Sequence, residues 1–178
     1  PYLESFRSAT PYPSAERSTN RCATASNRAT SQRVFRCVGR RKKQVNVLVG
    51  AHLTPGDLEH VRELIEAFGL RPLLLPDVGD ALDGHMTDSA FSPVSVGGTP
   101  VGEIPAMGEA AATLVLGAAL FDAADLLKAR SGVPDWRFDS LMGLEKVDAF
   151  VAALAEISGQ PVPEKLERQR AQLQDAMV

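Results

Sequence analysis

The chain is poor in the residues that usually give a function away. It has two cysteines in 178 residues, Cys22 and Cys37, which excludes a disulfide scaffold. Their fifteen-residue spacing matches no metal-site pattern, and no His/Cys cluster accompanies them, so they are expected as unpaired thiols. No run of 18 apolar residues exists; the most apolar window, Ala106 to Phe121, is interrupted by Glu109, so a membrane-spanning helix is excluded. Neither G-x-G-x-x-G nor a P-loop lysine motif occurs, and with them goes the usual nucleotide fingerprint. Aromatics make up 6% of the chain, and there is one tryptophan, Trp136.

What is present divides into two materials. Residues 1–44 carry ten Lys or Arg against two Glu, a net of +8, which leaves −11 for residues 45–178 out of the chain's −3. In residues 1–43 the apolar positions Leu3, Phe6, Val34, Phe35 and Val38 follow neither a strand nor a helix repeat. Such a segment cannot bury enough surface to offset its ordering entropy, so a disordered basic arm is expected. Three origins suit it: an organelle transit peptide, a nonspecific nucleic-acid arm, or out-of-frame translation of a GC-rich gene. The chain begins with Pro rather than Met, which reads as a fragment or a processed product.

From Gln44 the pattern is regular. Gln44–Val49 is a β-branched run ended by Gly50, a buried strand. Thr54 and Pro55 suit the N-cap and first position of a helix, and Asp57 completes a capping interaction. Leu58, Val61, Ile65 and Phe68 then mark one helical face, with Gly69 at its end. Leu70–Leu75 reads as a second strand, and residues 76–98 as a long loop without period. Thr99-Pro100 repeats the cap-plus-proline start of a helix, which Gly102 and Pro105 keep short or irregular. Ala112–Gly117 is a third strand, Ala118–Arg130 a helix with Leu120, Ala124 and Leu127 inward, and Trp136–Phe138 a brief fourth strand. Leu144, Val147, Val151 and Leu154 mark a helix ending at Ser158-Gly159. Glu164 to Met177 is a polar helix, expected to lead to a missing part or to pack on a partner. The order implies an α/β fold, a Rossmann-like parallel sheet of about four strands flanked by helices.

Ligands on such sheets bind at the carboxyl ends of the strands. His52 lies at the first of these ends, and a loop histidine bonded to backbone is its commoner role. Asp77 and Asp139 lie at others; paired carboxylates hold Mg²⁺, but without a positioned lysine they read as turn and cap residues. His85 in Asp83-Gly84-His85 reads as solvated, and His60 as a surface residue of the first helix. Ser95, Gly97, Gly98 and Thr99 precede a helix start whose amides suit an anion, against an ordinary loop and cap. Trp136 and Phe138 suit the core better than a binding platform. Composition and spacing stop at an α/β domain with candidate binding residues His52, Ser95, Gly97, Gly98 and Thr99 and no catalytic or metal set.

The words carry more. VNVLVGAHLTPGDLEHVRELIEAFGL, LPD, LDGH, FSPVSVGGTPVGEI, MGEAAATLVLG, SGVP and FDSLMGLEKVDAFVAALAEISGQPVPEKLERQRAQLQDAM run from about Arg40 to the end. Together they resemble the nitrogenase component 1 type oxidoreductase family, on the branch that builds the iron-molybdenum cofactor. The nitrogenase molybdenum-iron protein β subunit is the nearest competing member, and a free-standing nucleotide- or anion-binding module is the alternative from another class. The resemblance implies a cytoplasmic scaffold subunit of three α/β domains that pairs with a homologous NifE subunit into a heterotetramer. It implies an iron-sulfur cluster held by first-domain cysteines, and an iron-molybdenum cofactor precursor held mainly by the partner. Residues 44–160 correspond to the middle domain and 161–178 to a linker helix toward a third domain. The first domain has no counterpart here, Cys22 and Cys37 fall in no family motif, and no cofactor or metal residue is carried over. Gly102 and Pro105 stand where the family has a charged helical stretch. On this resemblance the arm reads better as a wrong reading frame than as a targeting or nucleic-acid segment, and no membrane partner is expected.

Overall fold

A computed structural model describes residues 41–79 and 98–176. The expected disorder of the arm, with Cys22 and Cys37, and the expectations for His85, Ser95 and Gly97 lie outside the described residues.

Four parallel strands form the sheet: β1 (Arg41–Val49), β2 (Arg71–Leu75), β3 (Ala110–Leu116) and β4 (Asp135–Phe138), in spatial order β2-β1-β3-β4. β1 begins three residues earlier than the apolar run suggests, because Arg41 finds a partner in Ala110 across a register irregularity that ends at Val45. The α-helices bounded within the described residues are, in chain order, α1 (Pro55–Ala67), α2 (Phe121–Ser131), α3 (Leu144–Ser158) and α4 (Glu164–Ala176). The helix expected after Thr99 is a 3-10 segment, Val101–Glu109, capped by Pro100 without a side-chain hydrogen bond. Pro105 lies inside it and offers no amide for an α-helical hydrogen bond.

Alternation along the strands sorts two cores. Val45, Val47 and Val49 of β1, with Leu114 and Leu116 of β3, meet α1 and α3 through Leu58, Ile65, Phe68, Phe150 and Leu154. Phe138 meets Phe150 edge-on, with centroids 5.3 Å apart. The opposite face is thinner: Leu48, Leu73 and Val115 pack on Met107 of the 3-10 segment and on Ala124 and Leu127 of α2. Leu120, expected inward, is only partly buried there, because it sits in a 3-10 turn ahead of α2.

Polar residues inside this framework tie elements together. Asn46, fully buried on β1, donates from Nδ2 to the Met107 carbonyl (2.9 Å) and to Thr113 Oγ1 (3.1 Å), fastening the 3-10 segment to the sheet. Gln44 Nε2 adds a bond to the Ala106 carbonyl at 3.3 Å. The polar helix α4 buries no residue, yet it docks on this domain through Val162 and Leu166 beside it and through Arg170, which grips the buried Asp148 of α3. Asp148 gives α4 a seat on its own chain.

Candidate functional site

The carboxyl edge of the sheet changes direction between β1 and β3: β1 feeds β2 on one side, while β3 and β4 lie on the other. In open α/β sheets this switch point is where ligands settle. Here it is lined by Gly50, closing β1, and Gly117, closing β3. Gly50 N–H donates to the Leu116 carbonyl and Gly117 N–H to the Phe138 carbonyl, both at 2.8 Å.

His52 lies on these two glycines. A Cβ on Gly50 would stand 2.7 Å from both Cε1 and Nδ1 of the imidazole, and one on Gly117 would stand 2.9 Å from Cε1. Gly50 is required by close approach, because its Cβ would also stand 2.6 Å from the Leu116 carbonyl oxygen, and Gly117 by φ +122°, which side-chain-bearing residues rarely adopt. The backbone hydrogen bond expected for His52 gives way to packing on backbone.

The turn that carries His52 leads into α1 through the expected cap. Thr54 Oγ1 accepts from Asp57 N–H (3.3 Å), and the Asp57 carboxylate accepts from Thr54 N–H (2.8 Å) and Thr54 Oγ1 (2.7 Å). The Thr54 amide and then its hydroxyl hold the Asp57 carboxyl below its usual range, with His60 and His52 adding weaker attraction. His60 itself is exposed on α1, as expected.

Asp77 and Asp139 do not meet. They follow β2 and β4, the two edge strands, so about three strand spacings of ~4.8 Å separate them. Asp77 is almost fully buried and pairs with Arg62 of α1 at 2.8 Å. Asp139 is exposed and pairs with Lys146 of α3 at 2.8 Å, a lysine that the sequence spacing had not singled out; that hydrogen bond lowers its pKa. Neither belongs to a shared cation site.

Gly98 and Thr99 bring the chain back from the long loop to the end of β2. Thr99 Oγ1 donates to the Leu74 carbonyl at 2.7 Å, and a Cβ on Gly98 would stand 2.8 Å from the Asp77 carbonyl oxygen. Thr99 is thus spent on β2 and caps no helix, because the chain passes through Pro100 into the 3-10 segment.

Sequence reasoning missed the network at the far end of β4. Asp135 is buried between Lys128 of α2 (2.8 Å) and Arg137 (2.6 Å); Arg137 also pairs with Asp125 and lies over the Phe121 ring, 5.4 Å from its centroid. Burial alone raises the Asp135 carboxyl, but hydrogen bonds from Lys128 and Arg137 outweigh it, so the net shift is downward. Its only sequence signal was an alternation of polar with apolar residues along Asp135–Phe138. Trp136 is partly buried against the larger core, as expected.

The described residues bring together no group of three or more His, Cys, Asp or Glu able to hold a metal ion, so they do not fit an iron-sulfur cluster or a metal cofactor. Among the same residues no helix is long and apolar enough to cross a membrane.

Comparison with known proteins places these features. Residues 13–178 match the family model described as nitrogenase component 1 type oxidoreductase, a match that begins inside the basic segment. The chain is 49% identical over 135 residues to the nitrogenase iron-molybdenum cofactor biosynthesis protein NifN of Bradyrhizobium diazoefficiens, covering 76% of this chain and 29% of that protein. It is 46% identical over 138 residues to the protein of the same name from Klebsiella pneumoniae, covering 78% and 30%. A solved structure described as nitrogenase Cp1 at pH 6.5 superposes with a TM-score of 0.72 at 30% identity, over 80% of this chain and 31% of the other. The chain spans about a third of the length of the relatives it matches.

Proposed function

Because this chain belongs to the nitrogenase component 1 type oxidoreductase family, we propose that it is the middle part of a cofactor-assembly subunit, a scaffold on which the iron-molybdenum cofactor of nitrogenase is built. The observation that carries this reading is the spread of identities: 49% and 46% to proteins named for cofactor biosynthesis, against 30% to a nitrogenase structure. In the complete subunit this domain stands beside a homologous NifE partner in the cytoplasm. The iron-sulfur cluster and the cofactor precursor are held by other parts of the assembly.

The role of this stretch is support rather than catalysis. Its buried polar side chains serve internal joints: Asn46 to the 3-10 segment, Asp135 to Lys128 and Arg137, Asp148 to Arg170. A domain braced in this way holds its neighbours at fixed distances, which is what a scaffold needs.

A chimera tests the assignment. Residues 41–176 replace the matching stretch of the Klebsiella pneumoniae NifN protein, and nitrogen-fixing growth is scored. Growth close to the parent is expected. A chimera that is folded and abundant but supports no growth contradicts the scaffold assignment.

A further inference from the structure

Helix α2 gathers an exposed leucine and two free charges on one face, and the order of the three is self-complementary. We propose that this face pairs with a second copy of the chain: two α2 helices meet antiparallel, about a two-fold axis at Leu126. The pairing needs only this face and stands apart from the scaffold assignment.

The other sides of α2 are spent within the chain. Ala124 and Leu127 enter the smaller core. Asp125 and Lys128 turn toward β4, where they pair with Arg137 and Asp135. Left outside is Leu126, 53% exposed in mid-helix. Asp122 stands four residues before it and Arg130 four residues after it, both exposed, and residues at this spacing share a helix face. Among the described residues neither Asp122 nor Arg130 has an ion-pair partner. Asp122 lies in the first turn and Arg130 in the last, so each also suits its end of the helix dipole. Turned antiparallel about Leu126, a second α2 brings its Arg130 to Asp122 and its Asp122 to Arg130, and lays one Leu126 on the other. Ala123 and Ala129, exposed beside the leucine, come opposite each other and let the helix axes approach. A two-fold interface uses the same patch on both copies, and here each charge meets its opposite. The charges also fix the direction: a parallel pair would set Asp122 against Asp122 and Arg130 against Arg130.

One helix per copy is a small contact, below the roughly 1,200 Å² of stable interfaces, so the dimer is expected to be weak and to grow as the chain is concentrated. Sedimentation velocity on the 178-residue chain reads it directly. Leu126→Glu is expected to raise the dissociation constant at least about tenfold, with the circular-dichroism spectrum unchanged because the side chain is half exposed. Asp122→Arg and Arg130→Asp each set like charges against each other across the axis, and each variant alone is expected to be monomeric. Mixed in equal amounts they restore both cross pairs, and dimers are expected to return. Charges that serve the helix dipole alone give no such recovery, since mixing changes nothing within one chain. A parent chain that stays monomeric up to about 1 mM overturns the pairing. So does a dimer indifferent to Leu126→Glu, or a pair of charge variants that stays monomeric when mixed.

Discussion

Removal of the Arg170 guanidinium should release α4 and little else. The guanidinium holds Asp148 through Nε at 3.1 Å to both carboxylate oxygens and through Nη2 at 2.8 Å to Oδ2. The side chains are 22% and 10% exposed, so the pair is shielded but not sealed. Breaking a fully buried pair costs about 3–5 kcal/mol because a charge is stranded. Here α4 has an escape: it buries no residue of its own, and once it lifts away water reaches Asp148. The cost is then bounded by the docking of the helix, in which Val162 and Leu166 keep their apolar contacts and the charge-assisted Arg170–Asp148 interaction supplies about 2–3 kcal/mol. Arg170→Ala is expected to lower amide-exchange protection in 164–176 by about 30- to 150-fold, the same energy expressed as a local opening constant. Protection in β1, β3 and α3 should hold. The exposed Glu164–Arg168 pair is the control, and Arg168→Ala should change stability by less than about 0.5 kcal/mol. Unchanged protection in α4 would refute the docking role of the pair; a loss spreading through β1 and β3 would refute the independence of α4.

Two further outcomes follow from the buried polar joints. Asp135→Ala removes the partner of Lys128 and one of the two partners of Arg137; Lys128 is 42% exposed and Arg137 keeps Asp125, so the expected cost is about 1–3 kcal/mol in urea unfolding. Since the folded Asp135 carboxyl lies below its unfolded value of 3.8, its contribution is present above that value and disappears as pH falls through the folded one. Asp135→Asn should accordingly flatten the stability profile in acid. Asn46→Ala removes two bonds to the 3-10 segment and Thr113, with an expected cost of about 1–3 kcal/mol. Limited proteolysis should then cut first around Gly102, and cutting elsewhere would count against the tie.

The sheet and its helices were legible because their signals are local. The β-branched run ended by Gly50, the leucine run ended by Pro76, the Thr54-Pro55-Asp57 cap and the spacing of Leu58, Val61 and Ile65 each act within a few residues. The 3-10 segment was harder: Thr99-Pro100 imitates a helix start, and only packing shows that Thr99 turns back to Leu74. The joints at Asn46, Asp135 and Asp148 join residues up to 67 apart in the chain, and a polar residue inside an apolar pattern does not say which partner it will find. His52 illustrates both sides. Its place at a strand end was readable, but Gly117, which lies against it, follows β3, on the far side of a long loop. The family, by contrast, was legible in the words from Arg40 onward, because many short matches in one order constrain identity more than any single site.

The most direct test of the scaffold assignment is co-purification with a NifE partner. The Bradyrhizobium diazoefficiens NifN protein, its matching stretch replaced by residues 41–176, is expressed with a tagged NifE partner from the same organism. The scaffold assignment predicts recovery of the two subunits together in equal amounts. A folded chimera that passes through the column alone, where the unaltered protein is retained, would contradict it.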